Sequence, residues 1–126
     1  MEPDDWYPEA MLRFTRWTES IQRSVEARGW NGLVRSPTAR KPKNDGFTVP
    51  ISEAHSFKVQ LKEATEFLKD HADFIAELMQ HPGQEASVDF TIVGSKDAAH
   101  SSIYFELDFL ELLLTLRISL GAGVYW

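Results

Sequence analysis

The fold is decided by residues 57–93, whose sequence is FKVQLKEATEFLKDHADFIAELMQHPGQEASVDFTIV. Across residues 57–80 the apolar side chains recur at steps of three and four, which predicts one long amphipathic helix. Pro82 and Gly83 follow and end this pattern. Over residues 86–93 apolar and polar side chains alternate, which predicts a strand. A long helix followed closely by a strand indicates a fold that mixes both elements.

The chain after residue 93 continues with short elements. Ile103, Phe105 and Leu107 alternate with polar residues and predict another strand. Asp108 is a suitable cap for a short helix. The core side of this helix is predicted to contain Phe109, Leu112, Leu113 and Leu116. The alternating residues of a closing strand are Ile118, Leu120, Val124 and Trp126.

The first part of the chain allows two interpretations. Pro8 suits the first turn of a helix, because proline has no amide hydrogen to lose there, and Gly29 is a typical stop. Helical spacing between them predicts a helix over about residues 8–28. The residues with that spacing are Ala10, Phe14, Trp17, Ile21 and Val25. The alternative makes Met11–Phe14 a short strand and starts the helix near Thr18.

A basic loop separates this region from the next strand. Residues 35–46 contain proline, glycine and four basic side chains, and we expect a mobile loop there. Its basic residues are Arg35, Arg40, Lys41 and Lys43. Residues 47–51 alternate and predict a short strand, which Pro50 places at the edge of a sheet.

These elements predict a single α+β domain over residues 1–126, with a small open sheet of about four strands covered by two or three helices. The chain has 126 residues, of which 43% are hydrophobic and 25% charged, as expected for one globular domain.

Composition restricts the function classes. The chain has no cysteine, which excludes disulfides, thiolate chemistry and cysteine zinc sites. The amino terminus is acidic and does not resemble a secretory signal, and the most apolar stretch is interrupted by charges, so we expect a cytoplasmic protein that does not cross a membrane. The net charge of −6 argues against general nucleic-acid binding, although residues 13–43 carry eight bases against two acids.

No motif for catalysis, metal binding or cofactor binding is present. The four histidines, His55, His71, His81 and His100, lack the spacing of a helical zinc site. The interpretation of His71 is a half-buried side chain beside the apolar side of the long helix. Gly121-Ala122-Gly123 is not followed by a helix, so we interpret its glycines as easing a bulge or close packing in the last strand and not as a phosphate loop.

One charged pattern has clear geometry. Five carboxylates step by three or four residues, which places them on one side of the long helix, opposite its leucines. These residues are Glu63, Glu66, Asp70, Asp73 and Glu77. They form either a solvated face or a docking surface for a basic partner.

The second half of the chain resembles a known class of protein. The long helix, the strand over residues 86–93 and the leucine-rich segment IYFELDFLELL at 103–113 lead to a final strand that contains Tyr125. This arrangement is similar to small acidic bacterial immunity-type domains and to uncharacterised domains like them. The resemblance implies a protein that binds and neutralises a toxin, often a nuclease, without catalytic residues. It also implies an opening strand, from which the helix interpretation of residues 8–28 departs.

The sequence therefore favours a non-enzymatic protein-binding domain, an immunity protein in the terms of the resemblance, whose acidic helix face meets a basic toxin. Two alternatives remain. One is an enzyme of unfamiliar type that uses Asp89 or Asp108 with a histidine. The other is a weak nucleic-acid-binding module that uses the basic residues 35–43. A homodimer is also compatible with the sequence.

Overall fold

The computed structural model describes residues 9–35, 46–93 and 104–125. Its strands are β1 (Glu9–Phe14), β2 (Phe47–Ser52), β3 (Ala86–Val93) and β4 (Ile118–Tyr125). Its helices are α1 (Glu19–Arg28), α2 (Phe57–Asp70), α3 (Ala72–Met79) and α4 (Leu107–Leu116). The strands form one open sheet in the order β2-β1-β3-β4, in which β1 is antiparallel to both neighbours and β3 is parallel to β4. The predicted α+β class is confirmed.

The helices pack on one face of the sheet. Alternate residues of the central strands, such as Leu12 and Phe14 in β1 and Val88 and Phe90 in β3, join the buried apolar sides of the helices in one core. The intervening strand positions point to the opposite face and include polar residues such as Arg13. We call the opposite face the open face, since the described helices leave it uncovered.

The predicted helix over residues 8–28 is wrong, and its alternative is confirmed. Residues 9–14 form β1, which pairs with β2 on one side and β3 on the other. The helix begins after Thr18, whose Oγ1 accepts a hydrogen bond from the Ile21 amide at 3.1 Å. Gly29, with φ of 84°, ends it. Helical spacing of the apolar residues misled the prediction because the alternation in β1 shares Ala10 and Phe14 with it.

The predicted long helix over residues 57–80 is two helices. His71 separates α2 from α3 with φ of −118° and ψ of 18°, which are not helical values. Its ring lies edge-on to Trp30, with the ring centroids 5.2 Å apart, and Trp30 also contacts Phe67 and Phe74. The interpretation of His71 as half-buried is confirmed. Trp30 is buried among the aromatic residues at the break.

The edge position of the strand that contains Pro50 is confirmed, because β2 is the first strand of the sheet. A bulge opposite Ala10 and Met11 shifts the register at the end of β2. Ser52 is consequently buried on the helix side, and its Oγ donates to the Glu63 carboxylate of α2 at 2.7 Å. The prediction of β3 over residues 86–93 is confirmed.

The strand predicted around residues 103–107 is wrong for the part that the structure describes. Residues 104–106 have no regular structure and Leu107 begins α4. The Phe105 ring packs instead among Phe57, Phe90 and Phe109, which draws this segment toward the core. Glu106, not Asp108, is the N-cap residue, and it makes no side-chain capping bond. The closing strand is confirmed as β4, although Leu120 is partly exposed.

Several predictions fall outside the described residues. They are the basic loop between Arg35 and Gly46, the residues Ile103 and Trp126, and the fourth histidine, His100.

Candidate functional sites

The acidic surface consists of the five predicted carboxylates, and all five are exposed. Glu63, Glu66 and Asp70 lie on α2, and Asp73 and Glu77 lie on α3. The break at His71 therefore divides the surface between two helices instead of one. Lys58, Lys62 and Lys69 form a parallel basic row along the flank of α2, because they are four and seven residues apart.

Two of the five carboxylates have partners. Glu63 accepts the hydrogen bond from Ser52. Asp73 binds the Arg28 guanidinium through both oxygens at 3.2 Å. The Phe74 backbone N–H, followed by Arg28, lowers the pKa of Asp73 below its ordinary value. Arg28 also lies over the Phe74 ring, 5.2 Å from its centroid.

The other three carboxylates carry the part of the acidic surface's charge that has no partner among the described side chains. Among the described side chains, Glu66, Asp70 and Glu77 have no hydrogen-bond or ion-pair partner. The prediction that these carboxylates point outward therefore holds, while the binding role assigned to them stays a prediction.

A second surface, which the sequence analysis missed, lies on α4. Leu107, Leu110 and Leu114 are 68%, 39% and 80% exposed, and their spacing of three and four residues aligns them along the helix. Tyr104 and Leu120 are also exposed nearby in the chain. We call Leu107, Leu110 and Leu114 the leucine surface. Because α4 is apolar around most of its circumference, its sequence pattern indicates a core side but does not distinguish an exposed apolar side.

A third candidate lies on the open face, where the register aligns one polar side chain from each strand. Arg13 of β1 pairs with Thr48 of β2 and with Ser87 of β3, and Ser87 pairs with Ser119 of β4. Arg35 extends the series beyond the edge strand through an isolated bridge to Thr48. We call these five residues the polar row. With neighbouring strands about 4.8 Å apart, it extends over roughly 19 Å.

The polar row lines an open groove of about 890 Å³. Arg16, Thr15 and Glu85 also line it, at the end of the sheet where β1 finishes and the other three strands begin. Asp89 lies two residues after Ser87 on β3, and its carboxylate contacts two members of the polar row. Its Oδ2 forms an ion pair with Arg13, 2.8 Å from Nε, and accepts a hydrogen bond from Ser87 Oγ at 3.0 Å.

Sequence analysis could not find the polar row, because register between strands decides it. A local signal was nevertheless present. β2, β3 and β4 each begin with a polar residue between two apolar ones, as in Phe47-Thr48-Val49 and Ile118-Ser119-Leu120, and β1 ends with one. The helix interpretation of residues 8–28 concealed the same pattern around Arg13.

The two carboxylates considered for catalysis lie on different elements, Asp89 on β3 and Asp108 on α4. Asp89 is engaged by Arg13, whereas Asp108 is exposed in the first turn of α4. Over residues 9–35, 46–93 and 104–125, no group of three histidine or acidic side chains could hold a metal ion.

No helix in the part of the chain that the structure covers has the length and apolarity needed to cross a membrane. Comparison with protein-family models, with curated proteins and with solved structures finds no significant match to this chain.

Proposed function

We propose that this chain is a non-enzymatic protein-binding domain that captures a basic protein partner through the helix side of the molecule. The observation that carries the proposal is the outward display of the acidic surface, of which Glu66, Asp70 and Glu77 have no partner among the described side chains. Unpaired carboxylates on an exposed surface attract an oppositely charged partner and accelerate its association.

The leucine surface can contribute binding affinity, which exposed carboxylates alone contribute weakly. Exposed charges contribute mainly to association rate and specificity, whereas burial of apolar side chains contributes affinity. α4 contacts both α2 and α3, so the leucine surface and the acidic surface lie on the same side of the sheet. An apolar patch beside a charged region is the usual composition of a protein interface. The charge of the acidic surface makes a basic protein the expected occupant of both.

The finer form of the proposal is an immunity protein that neutralises a toxin in a bacterial cytoplasm. It rests on the resemblance of the second half of the chain to immunity-type domains. β1 adds to this support, since the resemblance implies an opening strand. The engagement of Asp89 by Arg13 and Ser87 favours a binding role over the enzyme alternative.

The test is affinity capture from an extract of the source cell, followed by titration of the purified partner. We expect the captured protein to be basic. Glu66→Lys combined with Asp70→Lys should reduce its affinity roughly tenfold or more and lower the association rate. Glu19→Lys combined with Glu26→Lys changes the net charge equally at exposed positions of α1, outside the acidic surface, and should have little effect.

Leu110→Ser with Leu114→Ser tests the second surface. We expect faster dissociation of the partner, since apolar burial is lost while the acidic surface is intact. Equal affinity of the two charge-reversed proteins would contradict the proposal. A second copy of the chain is the other candidate occupant of the leucine surface. Sedimentation of a dimer that Leu114→Ser dissociates would assign this surface to self-association instead.

A further inference from the structure

We propose that the polar row and Arg16 form a binding site for a small molecule that carries a phosphate or diphosphate group. The site lies on the open face, away from the acidic and leucine surfaces, and does not depend on the proposed function. Three arginines held in place, hydroxyl groups between them and a groove of suitable size make up the site.

Arg13 and Arg35 are fixed by the sheet. Arg13 is oriented by Asp89, which also accepts from Ser87, so the carboxylate connects two neighbouring members of the row. Arg35 exchanges two backbone hydrogen bonds with Thr48, at 2.8 and 3.1 Å, and its guanidinium lies 3.8 Å from Glu9. Both arginine side chains are 56% exposed and remain accessible to a ligand.

The backbone of Arg16 is held by the buried side-chain amide of Gln84. The Gln84 side chain accepts from the Arg16 N–H at 2.8 Å and donates to the Arg16 carbonyl at 3.2 Å. Gln84 is buried, so these bonds hold the Arg16 backbone as a neighbouring strand would. Gly83, with φ of 75°, leaves room for the Arg16 guanidinium, because a Cβ at this position would lie 2.7 Å from Arg16 Nε.

The arrangement of donors suits phosphate. A guanidinium presents parallel N–H groups that match two phosphate oxygens, and the hydroxyls of Thr48 and Ser119 provide further donors along the row. The groove volume of about 890 Å³ lies within the range of small-molecule sites. A ligand of this class would place its phosphate between arginines and its remaining polar groups along these hydroxyls.

Charge balance determines what kind of binding to expect. Asp89, Glu9 and Glu85 offset the three arginines, so the groove attracts anions through directed donors more than through net charge. Arg16 has no carboxylate within ion-pair distance among the described residues, which makes it the principal anion contact. Binding should therefore be selective for phosphate geometry, and salt should weaken it.

The experiment is calorimetric titration with pyrophosphate at low ionic strength. We expect binding to the unmodified protein. Arg16→Ala should reduce affinity roughly 10- to 100-fold, which corresponds to the loss of a charge-assisted hydrogen bond. Ser119→Asp, at an exposed position of β4, should abolish binding by placing a carboxylate in the row without removing an arginine. Arg23→Ala, which removes the same charge from an exposed site on α1, should leave affinity unchanged.

Three results would overturn the proposal. One is the absence of binding at millimolar pyrophosphate. Another is equal loss of affinity in Arg16→Ala and Arg23→Ala, which would indicate nonspecific attraction. The third is equal affinity for citrate, which would show that the site does not recognise phosphate geometry. Circular dichroism of each variant verifies that the fold is retained.

Discussion

Helices α2 and α4 bury similar apolar faces but present different surfaces to solvent. The buried residues of α2 include Leu61, Ala64 and Leu68, and those of α4 are Phe109, Leu113 and Leu116. The exposed side of α2 is charged, whereas that of α4 carries leucines. Their ends differ as well, because α2 has a side-chain N-cap and α4 has none. The two helices therefore differ in what they present to water: α2 presents hydrated charges, whereas α4 leaves apolar side chains exposed.

The largest expected effect is a difference in stability between substitutions on the buried and the exposed apolar sides of α4. Phe109 is buried in the core, whereas Leu114 is 80% exposed. Phe109→Ala should reduce the free energy of unfolding by about 3–5 kcal/mol, because it leaves a cavity among Phe90 and Phe105. Leu114→Ala should change it by less than about 0.5 kcal/mol. Urea denaturation measures both. A large loss in Leu114→Ala would show that this leucine already has a partner within the domain.

The next effect concerns the start of each helix. Ser56 Oγ accepts from the Val59 amide at 3.3 Å at the start of α2, while Glu106 caps α4 with its backbone alone. Ser56→Ala should therefore destabilise the protein by about 1 kcal/mol. Glu106→Ala should have almost no effect. Equal losses in thermal denaturation would contradict the contrast between the two helices.

A smaller effect concerns the end of α4. Arg117 ends the helix with φ of 62°, a conformation that costs a non-glycine residue about 1–2 kcal/mol. Arg117→Gly removes this strain but increases the entropy of the unfolded chain, so we expect a net stabilisation of about 0.5 kcal/mol. Destabilisation in urea would mean that the Arg117 side chain makes a contact worth more than the strain.

The smallest effect concerns Asp73 at the start of α3. The pKa of Asp73 is lowered in the folded state, so its contribution to stability is present above its ordinary pKa of 3.8 and is lost as the pH falls through the folded value. Asp73→Asn should therefore be slightly less stable than the unmodified protein at neutral pH, and the difference should shrink at about pH 3. A difference that grows in acid would contradict the sign of the shift.

The sequence allowed accurate prediction of elements whose spacing has one interpretation. The strand over residues 86–93 and the edge position of the strand with Pro50 were correct, since strict alternation and a missing amide hydrogen each have one explanation. The break at His71 was not predictable, because the apolar spacing continues through it. It coincides with the packing of Trp30, which is distant in sequence.

The candidate sites also differ in whether local sequence could predict them. The exposure of Glu66 and Asp70 followed from helical geometry, which a local sequence determines. The polar row depends on strand register between residues as distant as Arg13 and Ser119, which no local pattern specifies. The segment around Phe105 was mispredicted for a similar reason. Its alternating pattern predicted a strand, but the Phe105 ring packs against Phe57, which is distant in sequence.

Gly121 has a consequence that extends across three strands. Its missing side chain leaves the space that the Asp89 carboxylate occupies, which fulfils the expectation of close packing at this glycine. Because that carboxylate orients Arg13 in the first strand, a methyl group added in the last strand would displace the aspartate and free the guanidinium. The missing Cβ of Gly121 thus determines whether Arg13 is held in its ion pair with Asp89 or is released from it.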